Sequence, residues 1–121
     1  MAKIKVMVVD DSPTDLKLMS GPFLSKGYEL ITATDGEDAL EKAESEHPDL
    51  IVLDVIMPKL NGFKVCRQIK SSTKLRDIKI ILLSGKDQKS DMFWGKKQGA
   101  DGYLTKPFTE EDLLEKASKL L

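Results

Sequence analysis

Five side chains stand out for the chemistry they could do together: Asp10, Asp11, Asp54, Ser84 and Lys106. Asp54 closes a dense apolar run, Leu50-Ile51-Val52-Leu53, and Pro58 follows four residues later. Asp10 and Asp11 close a β-branched run, Ile4 to Val9, while Ser84 closes Ile78 to Leu83 and Lys106 follows Tyr103-Leu104. Brought to one place, three carboxylates would repel and raise one another's pKa values unless a cation neutralised them. All-oxygen ligands carrying that much negative charge suit a hard divalent ion, Mg²⁺ above all. A carboxylate nucleophile, such an ion, a hydroxyl and a lysine are the parts needed for phosphoryl transfer to an aspartate. The carboxylate attacks in line while the cations neutralise the equatorial oxygens. Each residue also has a plainer reading. Asp11 or Ser12 could cap a helix, Asp54 and Ser84 could form turns, and Lys106-Pro107 could be a solvated bend. What the plainer readings do not explain is their coincidence at the ends of separate apolar runs.

Those runs are expected to be strands, alternating with helices. Asp or Ser before Pro13 is a helix start, with Pro13 at the first helical position where its missing N–H costs nothing. Leu16, Leu18, Met19, Phe23 and Leu24 carry that helix to about Lys26, with Gly27 as its stop. Pro22 lies inside it and should kink or loosen the turn, because it removes a hydrogen bond to Leu18. A second strand is expected over Glu29 to Ala33 and a second helix through Asp38, Ala39, Leu40 and Ala43 to about Glu46. Strand three is Leu50 to Leu53, and Phe63, Val65, Cys66 and Ile69 mark a third helix. Strand four is Ile78 to Leu83. A polar helix from about Gln88 to Gln98 and a short fifth strand, Tyr103-Leu104, follow. Thr109-Glu110-Glu111-Asp112 has the form of a capping box opening a last helix through Leu113, Leu114, Ala117 and Leu120. Five alternations with short connections imply one domain, residues 1–121. Its fold class is α/β, a doubly wound parallel sheet covered on both faces. In such a sheet every strand-to-helix connection emerges at one edge, so all five side chains converge there.

The bulk properties narrow the function. The chain has 121 residues, is 40% hydrophobic and 32% charged, and carries a formal net charge of −1. That composition is globular and gives no electrostatic reason to expect nucleic acid or a membrane surface as partner. No apolar stretch approaches the roughly 20 residues needed to span a bilayer, so a cytoplasmic protein is expected. One cysteine, Cys66, excludes an internal disulfide framework, and a buried, unreactive thiol is the expected fate. His47 is expected at the surface near a helix end.

Val9-Asp10-Asp11, Leu53-Asp54-Val55-Ile56-Met57-Pro58 with Gly62, Leu83-Ser84-Gly85 and Gly99 through Phe108 together resemble the receiver domain of two-component response regulators. The resemblance covers the whole chain. It implies a flavodoxin-like (βα)5 fold with strand order 2-1-3-4-5. Asp54 matches the phosphoacceptor, supplied by a histidine kinase. Asp10 and Asp11 match the acidic pair that binds Mg²⁺, with the Ile56 backbone carbonyl as a further ligand. Ser84 matches the switch hydroxyl, Lys106 the counter-charge and Tyr103 the switch aromatic, and the Lys106-Pro107 peptide is expected to be cis. Ile56 departs from the polar residue many relatives carry, and its side chain is expected to tune hydrolysis of a phosphoryl-aspartate. With no output domain after the last helix, a stand-alone, chemotaxis-like regulator is expected. Such a protein is not an enzyme beyond its own phosphorylation and dephosphorylation. It would signal to a downstream protein through the face of the fourth helix, fifth strand and fifth helix. Lys86 through Ala100 narrows the resemblance to single-domain regulators of type IV pilus motility, and Trp94 is a candidate partner contact.

Three other readings compete. An aspartyl-phosphate phosphatase would want a second acid two residues after the nucleophile, where Ile56 stands. A nucleotide module would want a glycine-rich loop after the first strand, and none is there. A receiver-like binding module acting without phosphorylation is the alternative that the intact acidic residues argue against.

Overall fold

The computed structural model describes residues 3–57, 60–85 and 96–121. Among them are five strands and four helices, which alternate along the chain except between the last two strands. They run β1 (Lys5–Val9), α1 (Pro13–Ser25), β2 (Glu29–Ala33), α2 (Gly36–Glu46), β3 (Leu50–Asp54), α3 (Gly62–Ser71), β4 (Lys79–Ser84), β5 (Gly102–Thr105) and α4 (Glu110–Leu120). All strand pairs are parallel, and the order across the sheet is β2-β1-β3-β4-β5. The helix expected over Gln88 to Gln98, with Met92, Phe93 and Trp94, lies largely outside the described residues, as do Pro58 and Lys59.

Strand alternation divides the core in two. Met7, Val9, Ile51, Leu53, Ile80 and Leu82 point to the face covered by α2 and α3, where Ala39, Ala43, Val65, Cys66 and Ile69 meet them. Val6, Val8, Leu50, Val52, Ile81 and Leu83 point to the other face, under α1 and α4, against Met19, Phe23, Leu113 and Ala117. Every residue of β3 is buried, as expected for the central strand of a sheet covered on both sides. Each fully buried aliphatic side chain contributes roughly 1.5–3 kcal/mol, so these two layers hold the sheet edge rigid.

The helix starts follow local hydrogen-bonding chemistry. Ser12 Oγ, rather than Asp11, accepts from the Asp15 N–H, so Ser12 is the N-cap of α1 with Pro13 next. Asp35 and Asn61 cap α2 and α3 in the same way. Thr109 and Asp112 form the full capping box of α4, each side chain accepting from the other's backbone N–H. The expected disturbance at Pro22 does not interrupt the helix, because α1 continues to Ser25 with Pro22 buried inside it. Packing against the sheet outweighs one missing hydrogen bond. Both β3 and β4 run one residue further than the apolar pattern suggests, so Asp54 and Ser84 are the last residues of their strands. Asp54 pairs with Leu83 in the parallel register.

Candidate functional site

Three features fix Asp54. It is the final residue of the central strand, it is 8% exposed, and its Oδ1 accepts the Ile56 N–H at 3.2 Å. The chain behind it turns through a position that only glycine fits. A Cβ on Gly62 would collide with the Asp54 carbonyl oxygen and lie 2.8 Å from Val55 Cα, and the Gly62 N–H donates to the Val55 carbonyl at 2.8 Å. The start of α3 therefore packs tightly against the backbone at the end of β3.

Asp10 lies one residue past β1 and is 1% exposed, with its Oδ1 accepting the Ser12 N–H at 3.0 Å. Continuing the strand alternation places Asp10, Asp54 and Lys106 on the α1 side of the sheet, and their side chains do meet there. Lys106 Nζ reaches Asp10 Oδ2 at 3.2 Å and Asp54 Oδ2 at 3.3 Å. Its own N–H donates to the Ser84 carbonyl at 2.7 Å, tying the end of β5 to the end of β4. The Lys106-Pro107 peptide is cis. Ser84 is fully buried at its strand end. Tyr103 is half-buried on the opposite face, against the layer that α2 and α3 cover.

The electrostatics are unbalanced. Burial, reinforced by the neighbouring Asp10 charge, raises Asp54 from an ordinary 3.8 to about 6, despite the opposing pull of Lys106 and the Ile56 N–H. For Lys106 burial works downward, but the Asp54 and Asp10 charges outweigh it and its pKa rises. The ammonium therefore stays charged at neutral pH, while Asp54 is poised closer to neutrality than an exposed carboxylate.

Asp10, Asp11 and Asp54 each offer a carboxylate oxygen, all within 4.8 Å of one another, and Asp11 is exposed. Hard oxygen donors of this charge fit a divalent cation such as Mg²⁺, and exposed Asp11 leaves room for the waters that ion keeps. The Ile56 side chain is 69% exposed beside this cluster, and its N–H faces Asp54. Sequence reasoning missed Asp15, whose Oδ2 lies 3.2 Å from Lys106 Nζ. An acidic residue in the first turn of a helix reads as ordinary dipole chemistry, so only its distance from Lys106 reveals it. A cavity of about 370 Å³ opens beside this lysine, walled by Leu18, Met19, Pro107 and Phe108.

Cys66 takes no part. It is buried in the α2–α3 layer, its thiol donates to the Gln98 carbonyl at 3.6 Å, and burial pushes its pKa up to about 12. His47 is exposed in a left-handed conformation at the end of α2, its Nε2 3.0 Å from the Lys74 carbonyl oxygen.

Fold and site together define a phosphorelay receiver, and the chain belongs to the response regulator receiver domain family, whose model matches residues 6–118. It is 38% identical over 117 residues to Protein PilH of Pseudomonas aeruginosa, covering 97% of each chain. It is 43% identical to the alkaline phosphatase synthesis transcriptional regulatory protein PhoP of Bacillus subtilis, spanning 97% of this chain and 48% of that one. Among solved structures it superposes on chemotaxis protein CheY4 of Vibrio cholerae with a TM-score of 0.92 and 35% identity, over 99% of this chain and all of that one. The chain is thus a two-component signalling domain rather than a conventional enzyme. Receiver domains bind Mg²⁺ at an acidic pocket, and Asp10, Asp11 and Asp54 supply one here. No helix among the described residues is long and apolar enough to cross a membrane.

Proposed function

We propose that Asp54 accepts a phosphoryl group from a phosphohistidine of a histidine kinase, that residues 1–121 act as one receiver unit, and that the protein works in the cytoplasm. One observation carries the reading. A buried strand-end carboxylate shares one ammonium with a second buried carboxylate, in a cluster rich in hard oxygen donors. One Asp54 carboxylate oxygen attacks phosphorus, forming the O–P bond as the N–P bond breaks. The departing imidazole takes up a proton and leaves neutral. Asp10, Asp11, Asp54 and the Ile56 carbonyl would hold Mg²⁺, which supplies positive charge against the phosphoryl oxygens. Lys106 supplies the second positive charge, and burial keeps bulk water from competing with it.

The phosphoryl group adds about −1.5 to −2 charges near neutral pH, an estimate from ordinary phosphoryl groups. Ser84 and Lys106 shift toward it, and Tyr103 turns inward. The outward face around β5 and α4 then changes shape for a downstream protein. Its stabilisation of that arrangement over the resting one sets how far the population moves. The resemblance of Lys86 through Ala100 to single-domain regulators of type IV pilus motility favours a pilus-motility setting.

The test is incubation with acetyl phosphate and Mg²⁺, followed by intact mass. Wild type should gain one hydroxylamine-labile phosphoryl group and Asp54→Asn none. A folded wild type that gains none, or an Asp54→Asn chain that gains as much, overturns the reading.

A further inference from the structure

We infer that Asp15 is a positioning residue: it is the site to which Lys106 withdraws when a divalent cation enters the acidic cluster. This rests on reading Asp10, Asp11 and Asp54 as the metal site.

Lys106 is fully engaged. Its three N–H donors match three carboxylate oxygens, those of Asp10, Asp15 and Asp54, at 3.2, 3.2 and 3.3 Å. Two of the three belong to the group that could ligate a metal, and Asp15 does not. On Asp10 and Asp54 the Oδ1 atoms already accept backbone N–H groups, so their Oδ2 atoms face the lysine. A divalent ion and the ammonium therefore compete for the same carboxylates, and like charges so close repel strongly.

Somewhere the displaced ammonium must go without leaving the site, since it is needed again opposite the phosphoryl group. The wall beside it is largely apolar, with Leu18, Met19, Pro107 and Phe108, and among the described residues its carboxylates are those of Glu110 and Asp15. Asp15 is the one whose carboxylate already lies 3.2 Å from the ammonium. Its backbone is fixed by the Ser12 cap while its side chain is 41% exposed, so it can follow the lysine outward. The alternation of the strands explains why α1 supplies this group. Asp10, Asp54 and Lys106 all point to the face that α1 covers, and Asp15 sits in its first turn.

Acting through Lys106 predicts a distinctive pattern in Mg²⁺ affinity measured by calorimetry on the full chain. Asp15→Ala should weaken Mg²⁺ binding by about three- to tenfold, the range of coupling between contacting charged groups. Asp15→Glu should restore it to within about twofold. In a Lys106→Met background, Asp15→Ala should change it by less than about twofold, because no ammonium remains to be displaced. Equal weakening in both backgrounds would mean Asp15 is only a distant negative charge and would overturn the inference, as would an unchanged affinity in the single variant. A folded wild type that binds no Mg²⁺ would instead remove the metal site itself. Alanine at position 15 keeps the backbone N–H that Ser12 caps, and circular dichroism checks that each variant is folded.

Discussion

Two lysines meet aspartates at opposite edges of the same sheet, and the contrast shows which one is structural. At the amino-terminal edge, Lys70 Nζ contacts Asp101 Oδ2 at 2.7 Å. The same ammonium donates to the Ile78 and Arg76 carbonyls, and the same carboxylate oxygen accepts the Ile80 N–H. Charge is matched one to one, backbone carbonyls take the ammonium's other two donors, and a backbone N–H shares the paired carboxylate oxygen. At the carboxyl-terminal edge, Lys106 spreads longer contacts over Asp10, Asp15 and Asp54, with Asp11 nearby. There four carboxylates face one ammonium. A neutral, backbone-tied pair gains nothing by rearranging, whereas a cluster with surplus negative charge is stabilised by any cation that arrives. The first pins α3 to β4 and the start of β5; the second is held ready to change partners.

The sharpest way to break this contrast is to remove each lysine in turn. Lys106→Met should slow phosphoryl uptake from acetyl phosphate by at least about tenfold, the scale for losing one charged group opposite a transferred phosphoryl. Lys70→Met should leave that rate within about twofold, since its partners lie at the far edge. Comparable slowing in both would mean the two pairs are not different in kind.

Stability should show the reverse. Lys70→Met strands a partly buried carboxylate and should lower unfolding free energy by about 1–3 kcal/mol in urea titrations, whether or not Mg²⁺ is present. A loss that Mg²⁺ repaired would place Lys70 in the site's electrostatics after all.

A pH series sharpens the electrostatic half. In metal-free buffer the folded pKa of Asp54 lies near 6 against an ordinary 3.8. As pH rises between those values the unfolded chain releases the proton first, so the folded form loses stability relative to it. Asp54→Asn has no such proton. It should therefore melt higher than wild type above pH 6, by on the order of 1–2 kcal/mol, with the advantage gone near pH 4. An advantage that grows as pH falls would reverse the sign and refute the assigned shift.

The smallest effect is expected at Ile56. Its exposed side chain offers a water near Asp54 no hydrogen bond, so Ile56→Asn should speed loss of the phosphoryl group by about two- to fivefold. An unchanged decay, followed by mass after removal of the donor, would show that this position does not tune the lifetime.

Much of the frame was legible in the chain itself. Apolar runs ending in Asp10, Asp54 and Ser84 mark strands whose last residues face one edge, because parallel connections leave an alternating sheet on one side. Caps at Ser12 and Thr109 were readable because they act within one helical turn. Pro22 reads as a disruption in the chain alone, because local propensity does not contain the packing that overrides it. Asp15 and Lys70–Asp101 were missed for a different reason. Each is an ordinary surface-type charge in sequence, and its partner lies 91 and 31 residues away respectively.

What the sequence determined by itself, then, was where each strand ends and what chemical group stands at that end, since both follow from local composition and alternation. Only the tertiary structure decided how those groups share their charge. The raised Asp54, the fully engaged Lys106 and the recruitment of Asp15 depend on distances of a few ångströms between separate strands and a helix. At that range a carboxylate's energy is set by burial and by its nearest ions, and neither is written along the chain.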